Sequence, residues 1–244
     1  MSALIPNISV DCVIFGFQED TLSVLLTKRI LKDPKTKKLI FSDHTLQGHH
    51  VQEGENLEQA AARVLQEKTG LANIYLEQFF TFGDTDRLAN EKDWLWIRTQ
   101  YPEVHRHVFS VSYYSLVDSS RIRPDKKHPD ASWFPVKSLP PLGFDHKLMV
   151  EMALECLQHK LRREPVGFEL LPEKFTVAQL QKLYETILDT KFDKRNFRKK
   201  MAQMPYVVPI REKLTGKAHK PAQMYVFSKE VYEKTKTDNN SFSV

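Results

Sequence analysis

Cysteine is scarce in this 244-residue chain, and long apolar runs are missing from it. The two cysteines, Cys12 and Cys156, sit in apolar surroundings, one in a strand pattern and one in a helix pattern, without metal-ligand spacing. That argues against a disulfide scaffold or a cysteine-based zinc site and fits buried free thiols in a reducing cytoplasm. No stretch of about 18 apolar residues is available to span a bilayer as a helix, so no membrane association is expected. The segment from Met1 to Phe17 lacks a basic start and a small-residue cleavage site and carries Asp11 inside its apolar run. It reads as a strand, not a signal peptide.

A strong charge imbalance is also lacking, since 36 Lys and Arg face 31 Asp and Glu for a net charge of +5. Hydrophobic residues at 41% and charged residues at 27% describe an ordinary globular protein of one or two domains. The charge is unevenly spread. Before Pro165 the chain has 21 basic and 22 acidic residues, and from Pro165 onward 15 basic and 9 acidic. The whole positive excess therefore lies in the last third, which suggests a polyanion-facing module behind a near-neutral one.

Ile8–Phe17 and Leu22–Arg29 are β-branched and aromatic runs around a polar turn and predict a hairpin. Lys28, Lys32, Lys35, Lys37 and Lys38 then mark an exposed loop, followed by a strand over Thr45–Gln52. Asn56 and Gln59 have capping-box spacing, Leu57, Ala61, Val64 and Leu65 form an apolar stripe, and Gly70 ends the predicted helix. Ile74–Phe82, Val108–Val117 and Ala131–Val136 read as strands, and Asp145 as the cap of a helix running to about Arg163. Residues 84–106 show no clean period but carry Trp94 and Trp96, so they read as a long loop that packs over a pocket or at a subunit contact, or as a surface insertion clamped down by its tryptophans.

Past Pro165 the pattern changes. Thr176 and Gln179 form a second capping box before an apolar face of Leu180, Leu183, Tyr184, Ile187 and Leu188. A short helix from Asp193 turns Phe197 and Met201 inward and presents Lys194, Arg195, Arg198 and Lys199. Strands over Tyr206–Ile210 and Met224–Phe227 flank a basic loop with Lys217 and Lys220, and the chain turns polar and frays from Lys229. Helix, basic helix and basic hairpin is the order of a winged helix-turn-helix.

The stretch His49–Leu71, HHVQEGENLEQAAARVLQEKTGL, resembles a Nudix box, with Glu55, Arg63, Leu65, Glu67, Gly70 and Leu71 on matching positions. The resemblance implies a Nudix fold over roughly the first 160 residues. In that family three glutamates on one helix face hold divalent cations, and here those positions are Val64, Glu67 and Lys68. Ordinary Nudix catalysis is therefore not expected, and no cofactor is. The alternative is a Mg²⁺-dependent hydrolase of nucleoside diphosphate compounds using Glu67 with a second carboxylate such as Glu53, Glu55 or Asp84. The histidines at 44, 49, 50, 105 and 107 match no standard metal spacing and read as a polar pocket wall.

A degenerate Nudix domain followed by a winged helix resembles the Nudix-related transcriptional regulators of bacteria, which include ADP-ribose-responsive and arabinose-responsive members. The segments GFELLPEKFTVAQLQKLYE, DKRNFRKKM, KPAQMYVF and LGFDH carry that resemblance. It implies an α+β protein, an α/β/α sandwich with a mixed sheet over residues 1–164, then a winged helix over 165–232 and a flexible tail over 233–244. It also implies a cytoplasmic homodimeric regulator, such as a repressor, on a palindromic operator in double-stranded DNA, with a sugar or nucleotide-sugar effector near the former active site. Arg29, His50, Glu67 and Asp84 are the candidate ligand residues. Lys194, Arg195, Asn196, Arg198 and Lys199, with Lys217 and Lys220 on the wing, are the candidate DNA contacts. His49-His50, the long 84–106 segment and Lys220 depart from the usual pattern of the family.

Overall fold

The computed structural model describes residues 4–70, 72, 74–122, 130–214 and 222–237. The N-terminal part holds β1 (Leu4–Gln18), β2 (Thr21–Lys32), β3 (Leu39–Thr45), β4 (Gln47–Gln52), α1 (Leu57–Thr69), β5 (Tyr75–Phe82), α2 (Glu91–Gln100), β6 (Phe109–Val117), β7 (Ala131–Pro135) and α3 (His146–Leu161). The C-terminal part holds β8 (Lys174–Thr176), α4 (Val177–Ile187), α5 (Lys194–Met201), β9 (Val207–Leu214), β10 (Ala222–Phe227) and α6 (Lys229–Thr237).

Among the described residues the seven N-terminal strands form one mixed sheet with the path β3-β2-β1-β6-β5, β4 pairing with β1 and β7 with β2. The central pair β1 and β6 is parallel, and such a pair needs cover on both faces. Alternation along β1 supplies it. Val13 and Phe15 pack with Met149, Val150, Ala153 and Leu157 of α3, whereas Cys12 and Ile14 pack with Ala60, Ala61, Val64 and Leu65 of α1. The result is the expected α/β/α sandwich. Cys12 is fully buried, and burial pushes its thiol pKa up, so it is an inert core group. Cys156 is only partly buried.

Both predicted capping boxes are present. The Asn56 side chain accepts the Gln59 N–H at 2.8 Å while Gln59 accepts the Asn56 N–H at 2.9 Å, and Gly70 closes α1 at φ 70°. Asn56→Ala is expected to cost about 1 kcal/mol, read as a lowered thermal midpoint with unchanged far-UV circular dichroism. Four expectations need correction. The lysine-rich stretch is in part β2 and in part the turn into an additional strand, β3. The supposed loop over 84–106 contains α2, capped by Asn90. Asp145 makes no side-chain cap, because Arg87 takes its carboxylate at 2.6 and 2.9 Å. From Lys229 the chain forms α6, whose Val231 and Tyr232 pack on the core, so the predicted tail boundary at 233 falls inside a helix.

The C-terminal sheet has the order β8-β10-β9, with the short β8 as a strand the sequence did not announce. The core does not stop between the two parts. Leu157 and Leu161 of α3 join Leu170, Leu183 and Tyr184 in one buried cluster, and a Cβ at Gly167 would come within 2.8 Å of both Leu161 and Leu183.

Candidate functional site

Arg63 organises the Nudix-box helix. Its Nε donates to Glu55 Oε2 at 2.9 Å, and its Nη2 donates to Glu55 Oε1 at 2.6 Å and to the His50 carbonyl at 3.1 Å. These hydrogen bonds hold the Glu55 carboxyl below its ordinary pKa, and Glu55 also accepts the Gln52 N–H at 2.7 Å. Glu67 lies 3.7 Å from Arg63 Nη1 with half of its side chain exposed, while Val64 is buried in the core beneath. One carboxylate is thus tied to a guanidinium, another faces the same cation, and Lys68 adds a second positive charge. This donor set does not fit a divalent cation, and no metal-ligating cluster of three His, Cys, Asp or Glu occurs among the described residues.

Beside β1 and β4 lies a cavity of about 120 Å³, walled on its outer side by Trp96, Ile97 and Tyr101 of the α2 segment. Its polar wall is built from Asp11, His50 and His146, all buried. Ser110 donates to Asp11 Oδ2, and His146 Nε2 stands 3.6 Å from Asp11 Oδ1. His146 Nδ1 accepts the Leu46 N–H at 2.9 Å, which assigns the ring proton to Nε2, and burial holds its pKa below the ordinary range despite Asp11. Burial and the neighbouring His49 lower His50 to about 4, so it is neutral at physiological pH. Its Nε2 is buried without a hydrogen-bond partner. Burial raises the Tyr101 hydroxyl, which stays protonated with its ring 4.5 Å from that of His50. Gly48 completes the wall, because a Cβ there would collide with the Asp11 carboxylate.

Arg29 stands behind this wall, 1% exposed. Cross-strand pairing sets it opposite Asp43, to which it donates from Nε at 2.7 Å and Nη2 at 2.8 Å. Its Nη2 also donates to Asp93 of α2 at 2.5 Å, and Asp93 accepts the Phe144 N–H at 3.1 Å. Burial alone would raise Asp43, but Arg29 and Lys92 outweigh it and hold that carboxyl below its ordinary pKa. The rings of Phe41, Trp96 and Phe144 surround the guanidinium at 4.6 to 5.4 Å. A Cβ at Gly143 would collide with Nη2. The ion cluster is thus the clamp that fixes α2 over the cavity.

Of the four sequence candidates for ligand contact, His50 lines the cavity. Arg29 braces the wall from outside, Glu67 lies on the exposed side of α1, and Asp84 is exposed in the turn after β5. The structure does not bring these four together. Sequence reasoning missed Asp11, Tyr101 and His146, whereas Trp96, singled out in a segment read as packing over a pocket, does line the cavity. The available signal was Asp11 itself, a lone carboxylate inside an apolar strand.

A second surface is built by α4 and α5. Glu185 accepts the Phe192 N–H at 3.0 Å and Gln181 donates to the Phe192 carbonyl at 2.9 Å, which fixes the turn between the helices. Asp193 caps α5 by accepting the Asn196 N–H at 2.9 Å. Phe197 and Met201 anchor the helix inward, and Phe197 meets the rings of Phe192 and Tyr184 at 5.7 and 6.1 Å. Lys194, Arg195, Asn196, Arg198 and Lys199 are all exposed. Among the described residues no carboxylate forms an ion pair with these lysines and arginines, so the positive charge is free for an external polyanion. Lys217 and Lys220 lie outside the described residues.

The model of the NUDIX domain family matches residues 6–153, more than half of the chain. The chain belongs to the Nudix family. Behind that domain, residues 167–227 of this Nudix protein match the NrtR DNA-binding winged helix domain. It is 29% identical over 234 residues, 93% of its own length and 84% of the relative's, to the ADPR responsive transcriptional repressor NtrR of Acinetobacter baylyi. The crystal structure of Shewanella oneidensis NrtR complexed with a 27mer DNA superposes with a TM-score of 0.72 at 27% identity, over 91% of this chain and 93% of that one. A MutT/nudix family protein from Enterococcus faecalis, 22% identical with a TM-score of 0.61 over 92% and 88% of the two chains, shares the fold. A Nudix fold followed by a winged helix is therefore the architecture of this Nudix protein.

Proposed function

We propose that this Nudix protein is a transcriptional repressor that binds double-stranded DNA through α5 and responds to a small sugar-containing effector, an ADP-ribose-like nucleotide sugar in the first instance. The observation that carries it is the unpaired basic face of α5, held on apolar anchors in a domain that matches a DNA-binding winged helix. The name of the Acinetobacter relative supports the effector class. In this reading the protein is a cytoplasmic homodimer on a palindromic operator, with half-sites about one helical turn apart. Lys194, Arg195, Asn196, Arg198 and Lys199 enter or flank the major groove, Arg and Asn being suited to guanine and adenine edges. Lys217 and Lys220, which the winged-helix resemblance assigns to the wing, contact phosphates or the minor groove.

In this reading the domain works as a sensor without hydrolysis, because Val64 and Lys68 stand at two of the three positions where the family's box carries glutamates and the third, Glu67, lies 3.7 Å from Arg63. Selection of fragments of the source genome with excess competitor DNA is expected to enrich one palindromic site. On that site Arg198→Ala and Lys199→Ala should each reduce the slope of log K against log salt by about 0.9 for every phosphate that is no longer neutralised. Binding that stays nonspecific, or slopes unchanged in both variants, would count against DNA recognition by α5. Mg²⁺-dependent turnover of a nucleoside diphosphate compound, lost in Glu67→Gln, would restore the hydrolase alternative.

A further inference from the structure

From the contact between the two domains we propose that the groove between α4 and α5 seats a phosphate of the DNA backbone on Lys182, beside Lys194 and Arg198, and that Asp20 of the Nudix domain competes with this phosphate for Lys182. The proposal deepens the DNA-binding reading above and rests on it.

The groove, about 390 Å³ in volume, is lined by Lys182 of α4 and by Lys194 and Arg198 of α5. In a helix-turn-helix the first helix crosses the DNA backbone while the second enters the major groove, so a cleft between the two faces phosphates. Three cations therefore meet where a phosphate passes. Two carboxylates share the lining, Glu185 and Asp20. Glu185 is committed to the turn between the helices, accepting the Phe192 N–H and a Gln181 side-chain N–H, each at 3.0 Å. Asp20 is different. It reaches the groove from the other domain, its side chain is 64% exposed, and Lys182 Nζ stands 3.9 Å from its Oδ2.

The turn that presents Asp20 is built against local preference. Gln18 pairs with Thr21 across a two-residue loop, and Glu19 and Asp20 both take left-handed conformations, φ 48° and 62°. Such loops favour Asn-Gly, because a positive φ is unfavourable for most side chains, yet two carboxylates occupy this one. The turn is also tied to α4, since Thr186 Oγ1 donates to the Asp20 carbonyl at 3.2 Å. Backbone contacts thus set the position, and the carboxylate is left to act through its charge.

An ion pair between exposed groups at that distance adds little to folding. Its consequence lies in binding. A phosphate that takes Lys182 displaces the carboxylate and then sits close to it, where like charges oppose one another. Asp20 therefore holds operator affinity below what the cations alone would give, and does so from the Nudix domain.

Asp20→Asn tests this with little strain, because asparagine tolerates positive φ and keeps the carbonyl that Thr186 uses. Operator binding by the full chain at about 0.15 M salt is expected to tighten roughly threefold to tenfold, and the slope of log K against log salt to steepen by up to about 0.9, the share of one further phosphate. In a Lys182→Ala background the same change should leave both nearly unmoved. Glu19→Gln removes an equal charge one residue away, outside the groove lining, and is expected to alter affinity by less than about twofold.

Affinity unchanged or weakened in Asp20→Asn, an equal gain in Glu19→Gln, or a gain that survives in full without Lys182 would overturn the proposal. Arg198→Ala checks the reading beneath it. If that variant weakens binding while Asp20→Asn changes nothing, the competition by Asp20 fails and DNA recognition by α5 stands. If Arg198→Ala also leaves affinity and slope unchanged, both fall.

Discussion

Asp93→Ala is expected to destabilise the protein by about 3–5 kcal/mol, seen as a lower denaturant midpoint. The magnitude follows from what is left behind. Arg29 is 1% exposed, its Nη1 already lacks a hydrogen-bond partner, and removing Asp93 strips its Nη2 of one of two carboxylates. The Phe144 N–H loses its acceptor in the same step. Pairing between buried charges does not by itself make the protein more stable than apolar packing would, because desolvation offsets much of the attraction. The triple replacement Arg29→Met, Asp43→Leu, Asp93→Leu is therefore expected to recover most of the loss. A single Asp93→Ala within about 1 kcal/mol of the unaltered protein would mean that Arg29 reaches water through a route absent from this structure. Because Asp93 belongs to α2, the same variant should also weaken whatever the cavity binds.

That clamp was the least legible part of the sequence. The helix α1 announced itself through local signals, an Asn56–Gln59 capping box, a stripe at helical spacing and a terminal glycine, all of which act within a few residues. The helix α5 was legible for the same reason, with Phe197 and Met201 four apart and charge elsewhere. By contrast, α2 fully buries an aspartate rather than an apolar stripe, so no hydrophobic period marks it, and the cation that ties this aspartate down, Arg29, is far away in the chain. In β2 the alternation runs against hydropathy, since Arg29 points in while Ile30 is 41% exposed. Asp11 was visible as an oddity in an apolar strand, yet its partner Ser110 lies 99 residues on. The helix α6 hid in a polar stretch because its apolar contacts with the core among the described residues come from Val231 and Tyr232, Tyr232 against the rings of Tyr206 and Phe227 at 5.3 and 5.9 Å.

Acidification should expose the other buried group of this wall. His50 has a pKa of about 4 in the folded protein against 6.5 for an unperturbed imidazole, because burial and His49 oppose its charge more strongly than Asp11 favours it. Above pH 6.5 the ring is neutral in both states, and the folded state keeps its full stability. As the pH falls below that value the unfolded chain takes up the proton first, so stability is lost progressively down to about pH 4 and levels off beneath it. At about 1.36 kcal/mol per pH unit the whole loss is about 3 kcal/mol. His146, lowered mainly by burial, adds to it with the same sign. Carboxylates held low by hydrogen bonds from cations, such as Glu55, act only at the acid end of the range. Thermal midpoints of the unaltered protein and of His50→Gln from about pH 7.5 to about pH 5 isolate the contribution. The unaltered protein should fall more steeply below pH 6.5, and parallel curves would show that His50 protonates as freely in the fold as in the unfolded chain.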